Sequence, residues 1–108
     1  MPELSPAALK AALPKGARLL GLDLGSKTIG VAVSDGALLV ASPVTTIRRG
    51  KFAADAAALL ALADERGAAG LVIGLPVNMD GTEGPRCQST RQFARNLSGV
   101  RDMPYAFW

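Results

Sequence analysis

The strongest constraint on how this chain can fold is a pair of apolar segments separated by only three residues. Arg18 to Leu24 (Arg-Leu-Leu-Gly-Leu-Asp-Leu) and Thr28 to Ser34 (Thr-Ile-Gly-Val-Ala-Val-Ser) flank Gly25-Ser26-Lys27. Ile29, Val31 and Val33 recur at every second position, the period of a strand, and β-branched side chains suit a pleated surface. A three-residue link leaves room for a turn and nothing more, so the two strands must pair antiparallel. Leu19, Leu20, Leu22 and Leu24 are apolar on both sides of the first strand, which predicts a central strand covered on both faces. Asp35-Gly36 is a second hairpin signal. Leu38 to Val40, continuing toward Ile47 past Pro43, reads as a third strand, placed at an edge by the proline.

The period then changes. Phe52, Ala56, Leu59, Leu60 and Ala63 share one helical face, and Gly67 is a natural stop. Leu71 to Ile73 is a short apolar strand that returns from that helix, which predicts parallel pairing beside the first strand. A Gly-, Pro- and Asn-rich loop covers Leu75 to Gly84. A second helix runs from about Pro85 to Leu97 with Cys87, Phe93, Ala94 and Leu97 inward, and Tyr105 begins a last strand. The order βββαβαβ predicts an α/β fold, a mixed sheet with helices on its faces, over residues 17–108. Residues 1–16 read as a peripheral, mobile appendage, with Ser5-Pro6 starting a short helix over Ala7 to Leu13 and Pro14 and Gly16 ending it.

Composition excludes several kinds of chemistry. The 108 residues contain no histidine and one cysteine, which removes Ser-His-Asp catalysis and imidazole-bound zinc and leaves Cys87 without an activating partner. Cys87 reads as a small buried apolar residue, and a lone cysteine fits a reducing cytoplasm. The N-terminus has no signal-peptide pattern and no apolar run approaches a membrane span, so the expectation is a cytoplasmic protein with no membrane partner. Aromatic residues make up 5% of the chain, too few for a base-stacking platform. The net charge of +3 permits a polyanionic partner, and Arg48, Arg49 and Lys51 cluster; that cluster reads either as a solvated loop or as a nucleic-acid contact.

Asp23 is the candidate of greatest interest. On strand alternation it shares a face with Leu19 and Gly21, where an ionised carboxylate is costly unless paired or bound to a cation. It reads either as a ligand for Mg²⁺ or Mn²⁺ or as a strand-end acid bonded to the turn amides. Gly21 to Thr28 imitates a phosphate-binding P-loop, but Ser26 stands where glycine is required and a strand follows where a helix is required. Gly25, Ser26, Lys27 and Thr28 still form a turn that could hold a phosphate, or an ordinary solvated hairpin tip. The loop Gly74-Leu-Pro-Val-Asn-Met-Asp-Gly81 follows the carboxyl end of a parallel strand, where ligands gather in open sheets. Gly74, Pro76, Asn78, Asp80, Gly81, Thr82, Glu83 and Arg86 are its candidates for substrate contact, against the plainer reading of a mobile loop with Asp80-Gly81 as a turn.

Two stretches together resemble the YqgF/RuvX family: Gly21-Leu-Asp-Leu-Gly-Ser-Lys-Thr-Ile-Gly-Val-Ala-Val-Ser-Asp35 and Gly74-Leu-Pro-Val-Asn-Met-Asp-Gly-Thr82. The resemblance covers Arg18 to Trp108. It implies a ribonuclease H-like fold and a metal-dependent nuclease. The implied substrate is the precursor of 16S ribosomal RNA at its 5′ end, with a Holliday junction as the alternative. In such folds several carboxylates hold two divalent ions, Mg²⁺ or Mn²⁺, and Asp23 corresponds to the first of these acids. The family's other acids lie in an Asp-Glu-Arg motif after the strand beginning at Tyr105 and on a C-terminal helix. Trp108 precedes both, and Asp102 is on the wrong side of the strand to replace them. The expectation is therefore a C-terminally incomplete domain, its last helix missing, with weak or no nuclease activity. Two other readings compete: a non-catalytic RNA-binding module, and an actin-like phosphate loop at Asp23-Leu24-Gly25, which would require a second domain. Resolving a four-way junction would call for a homodimer.

Overall fold

The computed structural model describes residues 3–35 and 41–108. The elements run α1 (Pro6–Ala12), β1 (Arg18–Leu24), β2 (Thr28–Ser34), β3 (Ala41–Arg48), α2 (Phe52–Arg66), β4 (Ala68–Ile73), α3 (Pro85–Val100) and β5 (Tyr105–Phe107). The strands form one sheet in the order β3-β2-β1-β4-β5. β2 pairs antiparallel with β1 and β3, while β4 pairs parallel with β1 and β5. This is the mixed α/β sheet expected from the sequence, with β1 central and proline-bearing β3 at an edge. Pro43 sits opposite Ala32 at a register shift, where a missing N–H does least harm. Gly36 and the stretch Leu38 to Val40 lie outside the described residues. β4 begins at Ala68, three residues before the apolar run that marks it in sequence, because Arg18 and Leu19 of β1 already offer partners there.

Local signals set the helix ends. The Ser5 hydroxyl accepts the Ala8 N–H at 3.1 Å, with Pro6 in the first turn of α1. Gly67 closes α2 at φ 69°, and its N–H bonds the carbonyls of Ala63 and Asp64. Asp55 is an acid on the buried side of α2; its carboxylate accepts the Gly50 N–H at 3.1 Å and fixes the chain entering the helix.

The two faces of the sheet differ. Leu20, Leu22 and Leu24 of β1 pair in register with Val33, Val31 and Ile29. They form one core with Leu71, Ile73, Tyr105 and the buried faces of α2 (Ala56, Leu59, Leu60, Ala63) and α3 (Phe93, Ala94, Leu97). The Phe52 and Phe93 rings meet edge to face at 5.4 Å within it. Cys87 is free and fully buried, as its sequence context suggested.

The expectation of a doubly covered β1 is not met. Arg18 and Asp23 are exposed, and Leu19 and Gly21 are only half-buried. The face carrying Leu19, Gly21 and Asp23 is covered at one end alone, by α1. There Leu9 is fully buried, and its Cδ1, with Leu19 Cδ2, lies 3.1 Å from where a Cβ on Gly70 would stand. Glycine at 70 is thus a condition of that close packing. The N-terminal residues from Glu3 on are docked rather than peripheral. The Leu4 N–H donates to the Tyr105 carbonyl at 2.7 Å, and Glu3 lies 3.6 Å from the Arg91 guanidinium.

Candidate functional site

Asp23 is the penultimate residue of β1, on the open face of the sheet. Its register partner on β2 is Gly30, and on its other side Gly74 prolongs β4 through an N–H to the Leu22 carbonyl at 2.9 Å. A Cβ on Gly30 would stand 3.6 Å from the Asp23 Cβ, and one on Gly74 4.0 Å from Asp23 Oδ1. Glycines on both flanks leave the carboxylate approachable from above the sheet. Asp23 is exposed, so burial does not force a cation onto it, contrary to the cost inferred from strand alternation.

The surface around Asp23 is concave. A depression of about 400 Å³ runs across the open face over Gly21, Asp23, Gly30, Ala32, Val72 and Gly74. Its rim is formed by Thr45 and Thr46 of β3 on one side and Trp108 on the other. A smaller hollow of about 230 Å³ joins Asp23 to Gly74, Leu75, Pro76, Arg86 and Trp108. A third, of about 220 Å³, lies beyond the end of β1 between Gly25, Ser26, Arg49, Arg86, Ser89 and Thr90. Arg86 lines both of the smaller hollows.

The structure divides the sequence candidates into two groups. Asp23, Gly74, Pro76 and Arg86 converge on one hollow, and Gly25 and Ser26 line the adjoining one. Lys27 and Thr28 are exposed at the hairpin, where the Lys27 carbonyl accepts the Arg49 N–H and the Thr28 carbonyl accepts the Gly25 N–H. β2 follows directly, which rules out the helix that a P-loop needs.

The distal loop closes on itself. The Asn78 N–H donates to the Thr82 carbonyl, its Nδ2 donates to Thr82 Oγ1 at 3.1 Å, and Gly81 turns at φ 86°. The Thr82 hydroxyl and amide both donate to Asp80 Oδ1 and hold that carboxyl below its ordinary range. Glu83 is likewise held low by a two-pronged pair with Arg91, whose own pKa is raised in return. Asn78, Asp80, Thr82 and Glu83 therefore spend their polar groups on the loop and on α3.

Arg49, Ser89 and Trp108 line these hollows without having been marked as site residues in the sequence. Arg49 stood in the basic cluster, yet nothing in the spacing separated it from Arg48 and Lys51. Its guanidinium alone of the three turns into the hollow, where Nη1 donates to the Gly25 carbonyl at 2.7 Å. Asp55 had a legible signal: one acid on an otherwise apolar helix face.

Among the described residues, no three carboxylate, cysteine or histidine groups converge. Asp23 supplies a single hard oxygen ligand, so these residues do not by themselves fit a two-metal centre.

The fold is ribonuclease H-like. The large terminase nuclease from thermophilic phage G20c superposes with a TM-score of 0.60 at 16% identity, over 89% of this chain and 46% of that one. RuvC of T. thermophilus, solved with a Holliday junction, superposes with a TM-score of 0.58 at 11% identity, over 85% and 64%. The sequence profile of the family described as RuvX: Holliday junction resolvase matches residues 17–108, and the chain belongs to that family. A protein of Paramagnetospirillum magneticum, provisionally named a pre-16S rRNA nuclease, is 62% identical over all 108 residues, which span 70% of its length. Its namesake in Rhodospirillum rubrum is 59% identical, and the chain spans 67% of it. A Cereibacter sphaeroides relative is 62% identical over 98 residues, 61% of its length.

Proposed function

We propose that this chain is the substrate-binding part of a metal-dependent endonuclease that hydrolyses phosphodiester bonds of the pre-16S rRNA near its 5′ end, in the cytoplasm. The observation that supports this reading is the placement of Asp23. It stands at the carboxyl end of the central strand, on an open face, between two glycines that leave room for a backbone phosphate. Residues 17–108 form the nuclease domain in this reading, with 1–16 as its N-terminal appendage. No described helix is long and apolar enough to cross a membrane.

The chain's own residues have distinct tasks. Asp23 would contribute the first carboxylate, and Mg²⁺ or Mn²⁺ would be held jointly with acids from outside these 108 residues. Gly74 and Pro76 shape one wall of the hollow, and Arg86 offers a guanidinium suited to phosphate. With Asp23 the one carboxylate that the described residues bring to this hollow, the chain alone is expected to cleave weakly or not at all.

The test is a chimera in which this chain is completed by the part of the Paramagnetospirillum relative that it does not span. With Mn²⁺, the chimera should cut a labelled RNA covering the precursor 5′ end, and Asp23→Asn should abolish the cut. Cleavage that persists in Asp23→Asn would overturn the reading. A four-way DNA junction run in parallel separates the resolvase alternative, which would also require a homodimer in solution. A second reading is a non-catalytic RNA-binding module, supported by the two guanidinium groups, Arg49 and Arg86, that line the hollow beyond β1. RNA binding that is independent of metal and survives Asp23→Asn, with an inert chimera, would establish it.

A further inference from the structure

We infer that the hollow between the β1–β2 turn and the first turn of α3 is a phosphate subsite, formed by Arg49, Arg86, Ser26 and Ser89. It would hold a backbone phosphodiester of the strand whose neighbouring phosphate lies at Asp23. This rests on the nucleic-acid reading above and adds the groups that would hold the strand.

Two arginines from distant parts of the sequence meet in this hollow. Arg86 Nη2 donates to the Leu24 carbonyl at 3.3 Å and Arg49 Nη1 to the Gly25 carbonyl at 2.7 Å. Both guanidinium groups are thus anchored on consecutive carbonyls of one turn, each through one nitrogen. The ion pairs among the described residues use Arg66, Arg91 and Arg101, and neither Arg49 nor Arg86 belongs to them. Two like charges facing one hollow repel each other, and an anion between them would relieve that repulsion. Guanidinium forks match phosphate oxygens in geometry as well as charge.

The lining also selects against other ligands. Among the described residues Leu24 is the only large apolar side chain in it, and Ser26, Ser89 and Thr90 supply hydroxyls. Among the described residues no aromatic ring lines the hollow, so a base finds no ring there to stack on. The amino end of α3, a helix of 16 residues, adds its partial positive charge.

The arginines are held in position before any ligand arrives. The Arg49 guanidinium lies 5.7 Å from the centre of the Phe93 ring, and its backbone N–H is tied to Lys27. Asp55 pins the next residue, Gly50. The Thr90 hydroxyl bonds the Arg86 carbonyl at 2.8 Å. A preset fork loses less side-chain entropy on binding. Because Arg86 also lines the Asp23 hollow, a strand can pass from one hollow to the other without leaving this arginine.

The test is binding of a 12-nucleotide single-stranded RNA, read by fluorescence anisotropy across a salt series in EDTA. Each phosphate contact on a single strand contributes about 0.7 to the slope of log affinity against log salt. Arg49→Gln and Arg86→Gln should each lower the slope by about that amount, equally for unrelated RNA sequences. Lys10→Gln, an exposed charge on α1, should change it far less. Arg49→Lys and Arg86→Lys keep the charge and should keep the slope while weakening binding. Amide spectra confirm that each variant folds. Glutamine variants indistinguishable from Lys10→Gln would overturn the subsite, as would absence of RNA binding by the parent chain. Inorganic phosphate that shifts the Ser26 and Ser89 amides but does not compete with RNA would mark a free-anion site and overturn the strand assignment. Cleavage plays no part in these readouts, so an inert chimera leaves the subsite standing. An unchanged slope would remove the subsite without touching the nuclease reading.

Discussion

The two faces of the sheet are built from alternate residues of the same strands, and they obey opposite rules. One face presents Leu20, Leu22, Leu24, Ile29, Val31 and Val33 beneath α2 and α3, all of them buried. The other presents Gly21, Asp23, Gly30, Ala32 and Gly74, small or acidic, under a shallow depression. Burial of a full-sized aliphatic side chain stabilises by roughly 1.5–3 kcal/mol, so the first face dominates the folding free energy. The second contributes little apolar area and leaves backbone and carboxylate accessible. Stability and access are thus separated by the two-residue period of a strand.

The comparison is open to direct tests. Leu22→Ala or Leu59→Ala, on the covered face, should cost about 2–5 kcal/mol in urea unfolding. Gly21→Ala on the open face has only Ala32 atoms near its new Cβ, at 3.9 Å, and should cost under about 1 kcal/mol. Equal losses would show that the faces do not differ in this way.

Gly74→Val should reverse the balance between stability and function. Its branched side chain would crowd Asp23 Oδ1 and the Leu22 carbonyl, so cleavage by the completed chimera should fall at least tenfold while unfolding changes by about 1 kcal/mol or less. Retained cleavage would mean that substrate does not approach across this face.

Trp108→Ala should matter less still. Trp108 is 84% exposed, and the strand continuation past Phe107 is made by backbone, with the Trp108 N–H on the Ile73 carbonyl. A change within about 0.5 kcal/mol is expected for this 108-residue chain. A larger loss would mean that the ring packs on the open face.

The smallest effect concerns acid. Asp64, paired with Arg101, Asp80, bonded by Thr82, and Glu83, paired with Arg91, all have carboxyl pKa values lowered from 3.8, 3.8 and 4.5. Groups depressed in the folded state stabilise it above their unfolded pKa and lose that contribution as pH falls through the folded value. Tm should therefore be flat above about pH 5 and decline modestly below it. The decline should shrink in 0.5 M salt, because all three residues are solvent-exposed. Arg101→Gln should remove the Asp64 share of the decline; an unaltered pH profile would show that this pair does not hold in solution.

Much of the fold was legible in the residues. The three-residue link at Gly25–Lys27, the β-branched alternation of β2, Pro43 in an edge strand and the Gly67 stop are local features, and local sterics decide them. The doubly apolar look of β1 misled because Leu19 is only half-buried, and its approach with Leu9, ten positions away, to Gly70 has no signature in spacing. The docking of residues 3–12 was hidden for the same reason.

At the site, Asp23 and its glycine neighbours could be singled out from sequence because side-chain size and charge follow from residue type alone. Which residues would stand beside them could not. Arg49 and Arg86 are 37 positions apart, and they meet because β1 ends where α3 begins and because Arg49, unlike Arg48 and Lys51, turns inward onto the Gly25 carbonyl. Sequence determined the strand period, the turns and the position of the acid, all consequences of short-range backbone and side-chain preferences. Only the tertiary structure decided which face stayed open and which charges gathered at its edge, because both depend on how elements distant in the chain share one sheet.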